Sequence, residues 1–270
     1  MFGLMMDTPL LVASLIKFAS QFHSDTPIIT RTLEGPIRYT NYRKLNLRSK
    51  RLASGFLEFG ISTGDRIATL AWNTDRHLEL YYAISGIGSI CHTLNLRLSD
   101  EELIYIINHA EDRLLFFDHT LIDKVKRIRP FLKTVEEYIS ISGKLDESIS
   151  DLKFFKEYET FLNNKIDDFD WPDFDERIAA SLCYTSGTTG DPKGVLYSHR
   201  TTVLHAMASC FSSTLALKID DVVLPVVPMF HVNAWGIPYS VPIAGSKLVM
   251  PGDKLDGKSL FELMDQEEVT

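Results

Sequence analysis

Apolar residues in the first half of the chain form short runs that alternate with segments of helical periodicity. The runs have the length of buried strands, and the segments between them repeat apolar residues every three to four positions. Strands are predicted at residues 66–71, 89–94, 113–117 and 137–141, and helices at residues 40–59, 75–87 and 121–131. Ser99-Asp-Glu-Glu102 is a capping box that begins another helix. This alternation predicts a mostly parallel sheet covered by helices.

The pattern changes at residues 143–176, which are rich in Asp, Glu, Lys and Phe and show weak periodicity. We predict a first α/β unit over residues 1–142, an acidic connecting segment with one short helix over 143–176, and the start of a second α/β unit over 177–270. The second unit has predicted strands at 178–184, 194–197, 222–227 and 246–250, a helix after the N-cap Ser198 and a helix at 258–266.

Near the N-terminus, Asp7-Thr8-Pro9 predicts a helix start, with Thr8 as N-cap and Pro9 at the first helical position. Asp7 and the lack of an early basic residue argue against a signal peptide. No apolar stretch of the sequence has the length that a transmembrane helix needs.

Composition narrows the classes of function. The 270 residues are 45% hydrophobic and 24% charged, which is ordinary for a globular domain. The net charge of −8 and the absence of a basic run argue against a nucleic-acid partner. Cys91, Cys183 and Cys210 have no metal-binding or disulfide-like spacing, which favours a reducing, cytoplasmic location.

Candidate chemistry is concentrated in the run Tyr184-Thr-Ser-Gly-Thr-Thr-Gly-Asp-Pro-Lys-Gly194. Its glycines let backbone N–H groups approach an anion, its hydroxyls donate hydrogen bonds, and Lys193 adds a positive charge. The run is neither a Walker loop nor a dinucleotide fingerprint, because Asp-Pro separates Gly190 from Lys193 and the helix comes only after a second strand. These residues alone favour a polyphosphate loop but leave open an ordinary Ser/Thr/Gly turn.

The run from Thr185 to Gly194 resembles the phosphate-loop motif of the AMP-forming acyl-adenylate superfamily. This superfamily contains acyl-CoA synthetases, adenylation domains of peptide synthetases and firefly-type luciferases. Other segments resemble signatures of its fatty-acyl-CoA synthetase branch: residues 64–73, residues 94–99, Trp171-Pro-Asp-Phe-Asp-Glu176 and Pro228-Met-Phe-His-Val-Asn-Ala-Trp-Gly-Ile-Pro-Tyr239. The resemblance implies helix-covered, mostly parallel α/β sheets that form an incomplete N-terminal domain of the acyl-adenylate-forming fold.

The resemblance also implies a fatty-acid–CoA ligase. In that reaction a carboxylate attacks the α-phosphate of ATP, giving acyl-AMP and pyrophosphate, and coenzyme A then displaces AMP. The implied small molecules are the fatty acid, ATP, Mg²⁺ and coenzyme A. A homodimer and a peripheral association with a membrane are left open.

The superfamily roles carry over to the matching positions of this chain. The residues implied to bind the phosphates are Thr185, Ser186, Gly187, Thr188, Thr189, Gly190 and Lys193. Thr185 is also the implied ligand of the metal. Lys193 is implied to act in catalysis by steadying the departing pyrophosphate.

The second motif supplies the acyl side of the predicted site. His231 is implied to act beside the acyl carboxylate and the adenylate, Asn233 is implied to contact the acyl group, and Trp235 resembles a gate on the acyl tunnel. Without the resemblance, His231 would be a half-buried, hydrogen-bonded histidine and Trp235 a core aromatic.

Other polar residues are expected to be structural. His199 and Arg200 are expected to begin a helix, and no partner is apparent for His92 or His109. The acidic group Asp167, Asp168, Asp170, Asp173 and Asp175 lacks calcium-loop spacing and is expected to be a solvated loop.

The chain departs from the superfamily in lacking the Tyr-Gly-x-Thr-Glu and Thr-Gly-Asp stretches and a late catalytic lysine. The resemblance therefore implies an N-terminal fragment without the adenine and ribose sites, which we expect to be inactive alone. Two alternatives remain: an enzyme that adenylates an amino or aryl acid, and a non-catalytic module that binds a nucleotide or a partner.

Overall fold

The structure of the chain is a computed structural model that describes residue 1 and residues 3–143, 152–162, 169–185 and 190–270. Its strands are β1 (Pro27–Arg31), β2 (Ile37–Asn41), β3 (Arg66–Leu70), β4 (Ile90–Thr93), β5 (Leu114–Phe117), β6 (Glu137–Ser140), β7 (Phe155–Glu157), β8 (Ala179–Thr185), β9 (Lys193–Ser198), β10 (Val222–Val223) and β11 (Lys247–Met250). Its α-helices are α1 (Val12–Phe22), α2 (Tyr42–Glu58), α3 (Asp75–Gly86), α4 (Asp100–Ala110), α5 (Ile122–Ile128), α6 (Tyr158–Leu162), α7 (His199–Ser209), α8 (Ile237–Ala244) and α9 (Gly257–Glu267).

Over the described residues, the strands form two sheets. The larger has the order β7-β6-β5-β3-β4-β8-β9 and is parallel except for the pair β8 and β9. The smaller has the order β10-β11-β1-β2 and is antiparallel only between β1 and β2. Every residue of β4 and β5 is buried, as expected for central strands covered on both faces. The predicted α/β architecture is confirmed.

Strands from both halves of the chain share each sheet. β8 pairs with β4 in the larger sheet, and β11 pairs with β1 in the smaller one. α6 is a short helix inside the predicted connecting segment, and β7 just before it adds an edge strand to the larger sheet. The domain boundaries predicted at residues 142 and 176 stay a prediction.

Several local signals produce the expected elements. Ser99 Oγ accepts a hydrogen bond from the Glu102 backbone N–H at 3.2 Å, and Glu102 Oε2 accepts one from the Ser99 N–H at 2.8 Å, so the capping box that begins α4 is confirmed. Ser198 caps α7 by accepting from the Thr201 N–H at 3.2 Å, and His199 and Arg200 begin that helix as predicted.

Other local predictions were wrong. α1 begins at Val12 after the N-cap Leu11, so Thr8 and Pro9 do not start it. The strand predicted at 222–227 is limited to β10. The carbonyl groups of Pro225 and Val227 accept hydrogen bonds from the Asn73 side chain instead of from a neighbouring strand. β1 and β2 were not predicted. β1 is a five-residue run that begins with proline, and β2 is largely polar, so neither gives a clear periodic signal.

The core contains tyrosines whose hydroxyls donate to distant carbonyl groups. Tyr42 is fully buried, and its hydroxyl donates to the Ser246 carbonyl at 2.7 Å. Tyr82 is also fully buried and donates to the Pro238 carbonyl at 2.7 Å. A buried hydroxyl is costly without a partner, so these contacts fix the first turn of α8 and the residue that follows its C-cap.

None of the helices in the described part of the chain combines the length and the apolar character needed to cross a membrane.

Candidate functional site

The predicted phosphate loop joins the two strands of an antiparallel hairpin, and the helix α7 follows the second strand, as expected. Thr185 and Lys193 are exposed partners at the open end of β8 and β9, with Thr185 Oγ1 3.5 Å from the Lys193 carbonyl oxygen. Gly190 has a φ of +127°, a conformation that a side chain would strain. The remaining predicted loop residues, Ser186, Gly187, Thr188 and Thr189, lie outside the described residues.

Tyr184, which immediately precedes the loop, contacts the partner strand β9 and the helix α4. Its ring lies against Gly194, where an added Cβ would come within 3.3 Å of the ring. Its hydroxyl oxygen lies 2.6 Å from His109 Nδ1, and the two rings meet edge to face with centroids 5.9 Å apart. Burial raises the pKa of Tyr184 to about 12, so the phenol keeps its proton near neutral pH.

A buried histidine–aspartate contact lies behind Tyr184. His92 Nδ1 lies 2.6 Å from Asp112 Oδ2, both side chains are inaccessible to solvent, and the His92 ring is 5.2 Å from the Tyr184 ring. Burial raises the pKa of Asp112, while His92 opposes the shift. The expectation that His92 and His109 lack partners was wrong, because their partners lie 20 and 75 residues away along the chain.

The second motif contains an unusual backbone segment, the left-handed turn Val232–Gly236. Val232, Asn233, Ala234 and Trp235 have φ values of +47°, +49°, +48° and +58°. Left-handed backbone costs an L-residue roughly 1–2 kcal/mol. Such a conformation persists only where the surrounding contacts determine it.

Asn233 and Ala234 are the buried side chains of this turn, and Asn233 is the polar one. It is only 6% exposed, and its Nδ2 donates to Ser181 Oγ of β8 at 2.8 Å. Its Oδ1 lies 3.3 Å from the Tyr81 hydroxyl and 3.5 Å from Cys183 Sγ. The turn is therefore joined to the strand that leads into the phosphate loop.

Asn73 fixes the segment that precedes the turn. Its Nδ2 donates to the carbonyl oxygens of Pro225 and Val227, both at 2.9 Å, and its Oδ1 accepts from the Met229 N–H at 2.7 Å. Asn73 is buried, and its bonds to Pro225 and Met229 are shielded from water, while the bond to Val227 is partly buried.

Trp235 stands between two adjoining cavities and is 63% exposed. The first cavity has a volume of about 220 Å³ and the second about 440 Å³. Both are lined by His205, Val232 and Trp235, and the first also by Tyr197 of β9 and by Tyr239.

The structure thus brings together part of the predicted site. Asn233 contacts β8, and Trp235 shares a cavity with β9, the strand that begins at Lys193. His231 is exposed at the start of the turn and is not among the residues that line these two cavities. Which of these side chains touch a substrate stays a prediction.

Sequence reasoning missed Asn73, Tyr81, Tyr197 and His205. Asn73 is the last residue of the segment that resembles an upstream superfamily signature, so its place in that motif was a signal that it belongs to the site. Tyr81 lies in the largely buried helix α3 and gave none, because its partners are about 150 residues away.

A metal ion would find few protein ligands in the described ranges. They contain no group of three His, Cys, Asp or Glu side chains that could hold one. The role of Thr185 as a ligand of the metal stays a prediction. Asp167 and Asp168 of the predicted acidic loop lie outside the described residues.

Comparison with known proteins adds the remaining information. A family model described as AMP-binding enzyme matches residues 16–270. The 3-methylmercaptopropionyl-CoA ligase of Ruegeria pomeroyi is 48% identical over 270 residues, which is 100% of this chain and 50% of that protein. The medium-chain-fatty-acid–CoA ligase of Ectopseudomonas oleovorans is 44% identical over the same shares of both. The chain spans about half the length of the curated relatives it matches.

The fold has a counterpart among solved structures. A long-chain-fatty-acid–CoA ligase from Archaeoglobus fulgidus superposes with a TM-score of 0.85 at 21% identity, over 98% of this chain and 52% of that one. At this identity the likeness concerns the fold alone. It confirms the predicted N-terminal architecture of acyl-CoA ligases.

Proposed function

The chain belongs to the AMP-binding enzyme family, and on this premise we propose that it functions as an ATP-dependent, AMP-forming acid–CoA ligase whose acid is a fatty acid. Support comes from the relatives with 44% to 48% identity, whose names describe ligases that join an acid to coenzyme A. The finer parts of the proposal are the acid, the nucleotide site and the roles of single residues.

The observation that carries the proposal is that one hairpin supports both halves of the candidate site. Lys193 begins β9, and Tyr197 on the same strand lines the first cavity. At a strand rise of about 3.3 Å per residue, these positions are about 13 Å apart. A single small molecule could therefore place a phosphate near Lys193 and an acyl tail in the cavity.

Charge control is what the protein must supply in the first half-reaction. A carboxylate oxygen forms a bond to the α-phosphorus of ATP, the bond from that phosphorus to the bridging oxygen breaks, and pyrophosphate leaves with the electron pair. The exposed ammonium group of Lys193 would offset the charge that develops on pyrophosphate. Mg²⁺, when bound beside Thr185, would add neutralising charge to the phosphates.

In the second half-reaction the sulfur of coenzyme A bonds to the acyl carbonyl carbon, the bond from that carbon to the phosphate oxygen breaks, AMP leaves with the electron pair, and the thiol proton is released to solvent. His231, which begins the left-handed turn, is the residue that we assign beside the acyl carboxylate. Asn233 is assigned to the acyl side of the site, where it lines the first cavity and holds the turn.

The acid is the least constrained part of the proposal. The first cavity is suited to an apolar chain, because its walls include Val232, Trp235 and Tyr239. Medium- and long-chain fatty acids are the substrates we propose, and 3-methylmercaptopropionate is a second candidate because relatives with 47% and 48% identity are named for it. Cytoplasmic location, peripheral association with a membrane, a homodimer and the inactivity of residues 1–270 alone stay predictions.

The test uses the protein at the full length that its source gene encodes. Formation of AMP and acyl-CoA is measured with ATP, Mg²⁺ and coenzyme A and a panel of acids: 3-methylmercaptopropionate, octanoate, palmitate, anthranilate and phenylalanine. When a fatty acid is the substrate, we expect AMP and acyl-CoA to be formed together. Turnover of only anthranilate or phenylalanine would favour the aryl- or amino-acid alternative, and ATP binding without AMP formation would favour a non-catalytic module.

A further inference from the structure

The left-handed turn Val232–Gly236 needs an explanation, because four successive residues with side chains adopt a conformation that L-residues avoid. Trp235 belongs to this turn, so whatever holds the turn also sets the position of the indole ring between the two cavities. Contacts on both flanks of the turn are required, since a hold at one end would leave the other free to relax.

Tyr81 of α3 makes contacts before, within and after the turn. Its hydroxyl donates to the carbonyl oxygen of Met229, which precedes the turn, and lies 3.3 Å from Asn233 Oδ1 within it. Its ring lies against that of Tyr239, which follows the turn, with centroids 5.9 Å apart. Both tyrosines are fully buried, and burial keeps the pKa of Tyr81 well above its ordinary value, so its hydroxyl remains a donor.

The partners of Tyr81 are held in turn by other buried groups. Met229 also donates its N–H to Asn73 Oδ1 at 2.7 Å, and Asn233 also donates to Ser181 Oγ at 2.8 Å. The hydroxyl of Tyr81 lies between these two fixed points. Its removal would leave a buried carbonyl and a buried amide oxygen with fewer partners.

We propose that Tyr81 is a positioning residue: its hydroxyl holds the left-handed turn in place and thereby fixes Trp235 between the two cavities. The structural part of this inference stands on the contacts alone. Its consequence for selection of the acid rests on the proposed function.

The chain offers a matched control in Tyr42. This residue is also fully buried and donates a hydrogen bond to a carbonyl, that of Ser246, at 2.7 Å. Tyr42→Phe therefore removes the same chemical group at the same depth without touching the turn. Any general loss of stability should be shared by both variants.

The first measurement is ¹⁹F NMR of the full-length protein labelled with 5-fluorotryptophan, with the Trp235 resonance assigned from Trp235→Phe. We expect Tyr81→Phe to shift or broaden the Trp235 resonance and to leave that of Trp171 unchanged. Tyr42→Phe is expected to change neither. The proposal is overturned when Tyr81→Phe leaves the Trp235 resonance as it is in the parent, or when Tyr42→Phe alters it equally.

The second measurement is the kinetics of the same variants. Tyr81→Phe is expected to raise KM for the acid by about two- to tenfold, the factor that one lost hydrogen bond corresponds to, and to leave KM for ATP unchanged. A displaced Trp235 resonance in a protein that turns over no acid supports the positioning role and counts against the proposed function. An equal rise in KM for ATP and acid would contradict a role confined to the acyl side.

Discussion

The phenol oxygen of Tyr184 lies 2.6 Å from Nδ1 of His109, so the residue before the predicted phosphate loop is tied to the last turn of α4. His109 is itself stacked on Tyr105, with ring centroids 5.4 Å apart and planes at 20°. On its other side the Tyr184 ring lies against Gly194, the neighbour of Lys193. One side chain thus connects both ends of the loop to the body of the protein.

Tyr184→Phe should test this connection. The ring still covers Gly194, but the hydrogen bond to His109 is lost. Because such a bond contributes about 0.5–1.5 kcal/mol net, we expect the free energy of unfolding to fall by about 1 kcal/mol. We also expect KM for ATP to rise, while KM for the acid stays the same. Urea unfolding and steady-state kinetics measure the two effects.

Tyr105→Phe is the matched control for Tyr184→Phe. It keeps the ring that stacks on His109 and leaves the Tyr184 hydroxyl bond in place. An equal change of KM for ATP in both variants would mean that the Tyr184 hydroxyl has no special part in positioning the loop.

Lys193→Ala should slow formation of pyrophosphate far more than it weakens binding of the acid. The ammonium group lies exposed at the end of the hairpin, where it can meet charge that develops only as pyrophosphate departs. Pyrophosphate release is followed in a single turnover, and acid binding by calorimetry. Lys17→Ala, which removes an exposed lysine from α1, is the control. Equal pyrophosphate release by Lys193→Ala and the parent would remove Lys193 from the mechanism.

Local patterns predicted much of the fold because local forces determine those elements. The apolar runs became β3, β4 and β5, the Ser99 capping box began α4, and Ser198 capped α7. The missed strands are the instructive failures. β2 is largely polar and lies at a sheet edge, so its existence depends on pairing with β1 and not on its own sequence.

The candidate site was predicted from its motifs but not from its contacts. The motifs located Lys193, Asn233 and Trp235 because those residues lie in recognisable runs. The hydrogen bond between Asn73 and Met229 spans 156 residues, and no periodicity in the sequence reports on a contact of that range. Residues that hold other residues in place were therefore found only in the three-dimensional structure.

Trp235→Ala should join the two cavities beside the left-handed turn. The indole lines both, and its removal opens a passage between volumes of about 220 Å³ and 440 Å³. We expect the preference for chain length to shift toward longer acids, with activity on the longest acids rising relative to the shortest. Relative kcat/KM values across an acid series measure this. An unchanged profile would contradict the gate, and Trp235→Phe should keep the profile close to that of the parent.

Asp118 gives the protein a stability that depends on pH. It is buried at the end of β5, where Oδ2 accepts from the Trp72 N–H at 2.7 Å, and Oδ1 has no hydrogen-bond partner among the described residues. Burial raises its pKa from 3.8 to about 7, against the opposing effect of the Trp72 N–H. The folded protein therefore binds this proton more tightly than the unfolded chain does.

The stabilisation that comes from protonated Asp118 is fully present below about pH 4 and is lost as the pH rises through about 7. Asp118→Asn keeps an oxygen for the Trp72 N–H but cannot ionise. The variant should therefore gain stability relative to the parent as the pH rises from about 5 to about 8, by at most about 3 kcal/mol, because about two pH units separate pH 5 from the folded pKa of about 7 and each unit corresponds to about 1.4 kcal/mol. Urea unfolding of both proteins at several pH values measures the difference.

Asp256→Asn serves as the control for this pH dependence. Hydrogen bonds from Ser259 lower the pKa of Asp256 at the start of α9, so its own contribution to stability changes only as the pH falls below about 4. The difference between Asp256→Asn and the parent should consequently be flat from about pH 5 to about pH 8. A flat difference for Asp118→Asn over the same range would show that its carboxyl group is ionised without cost in the folded protein, contrary to its burial.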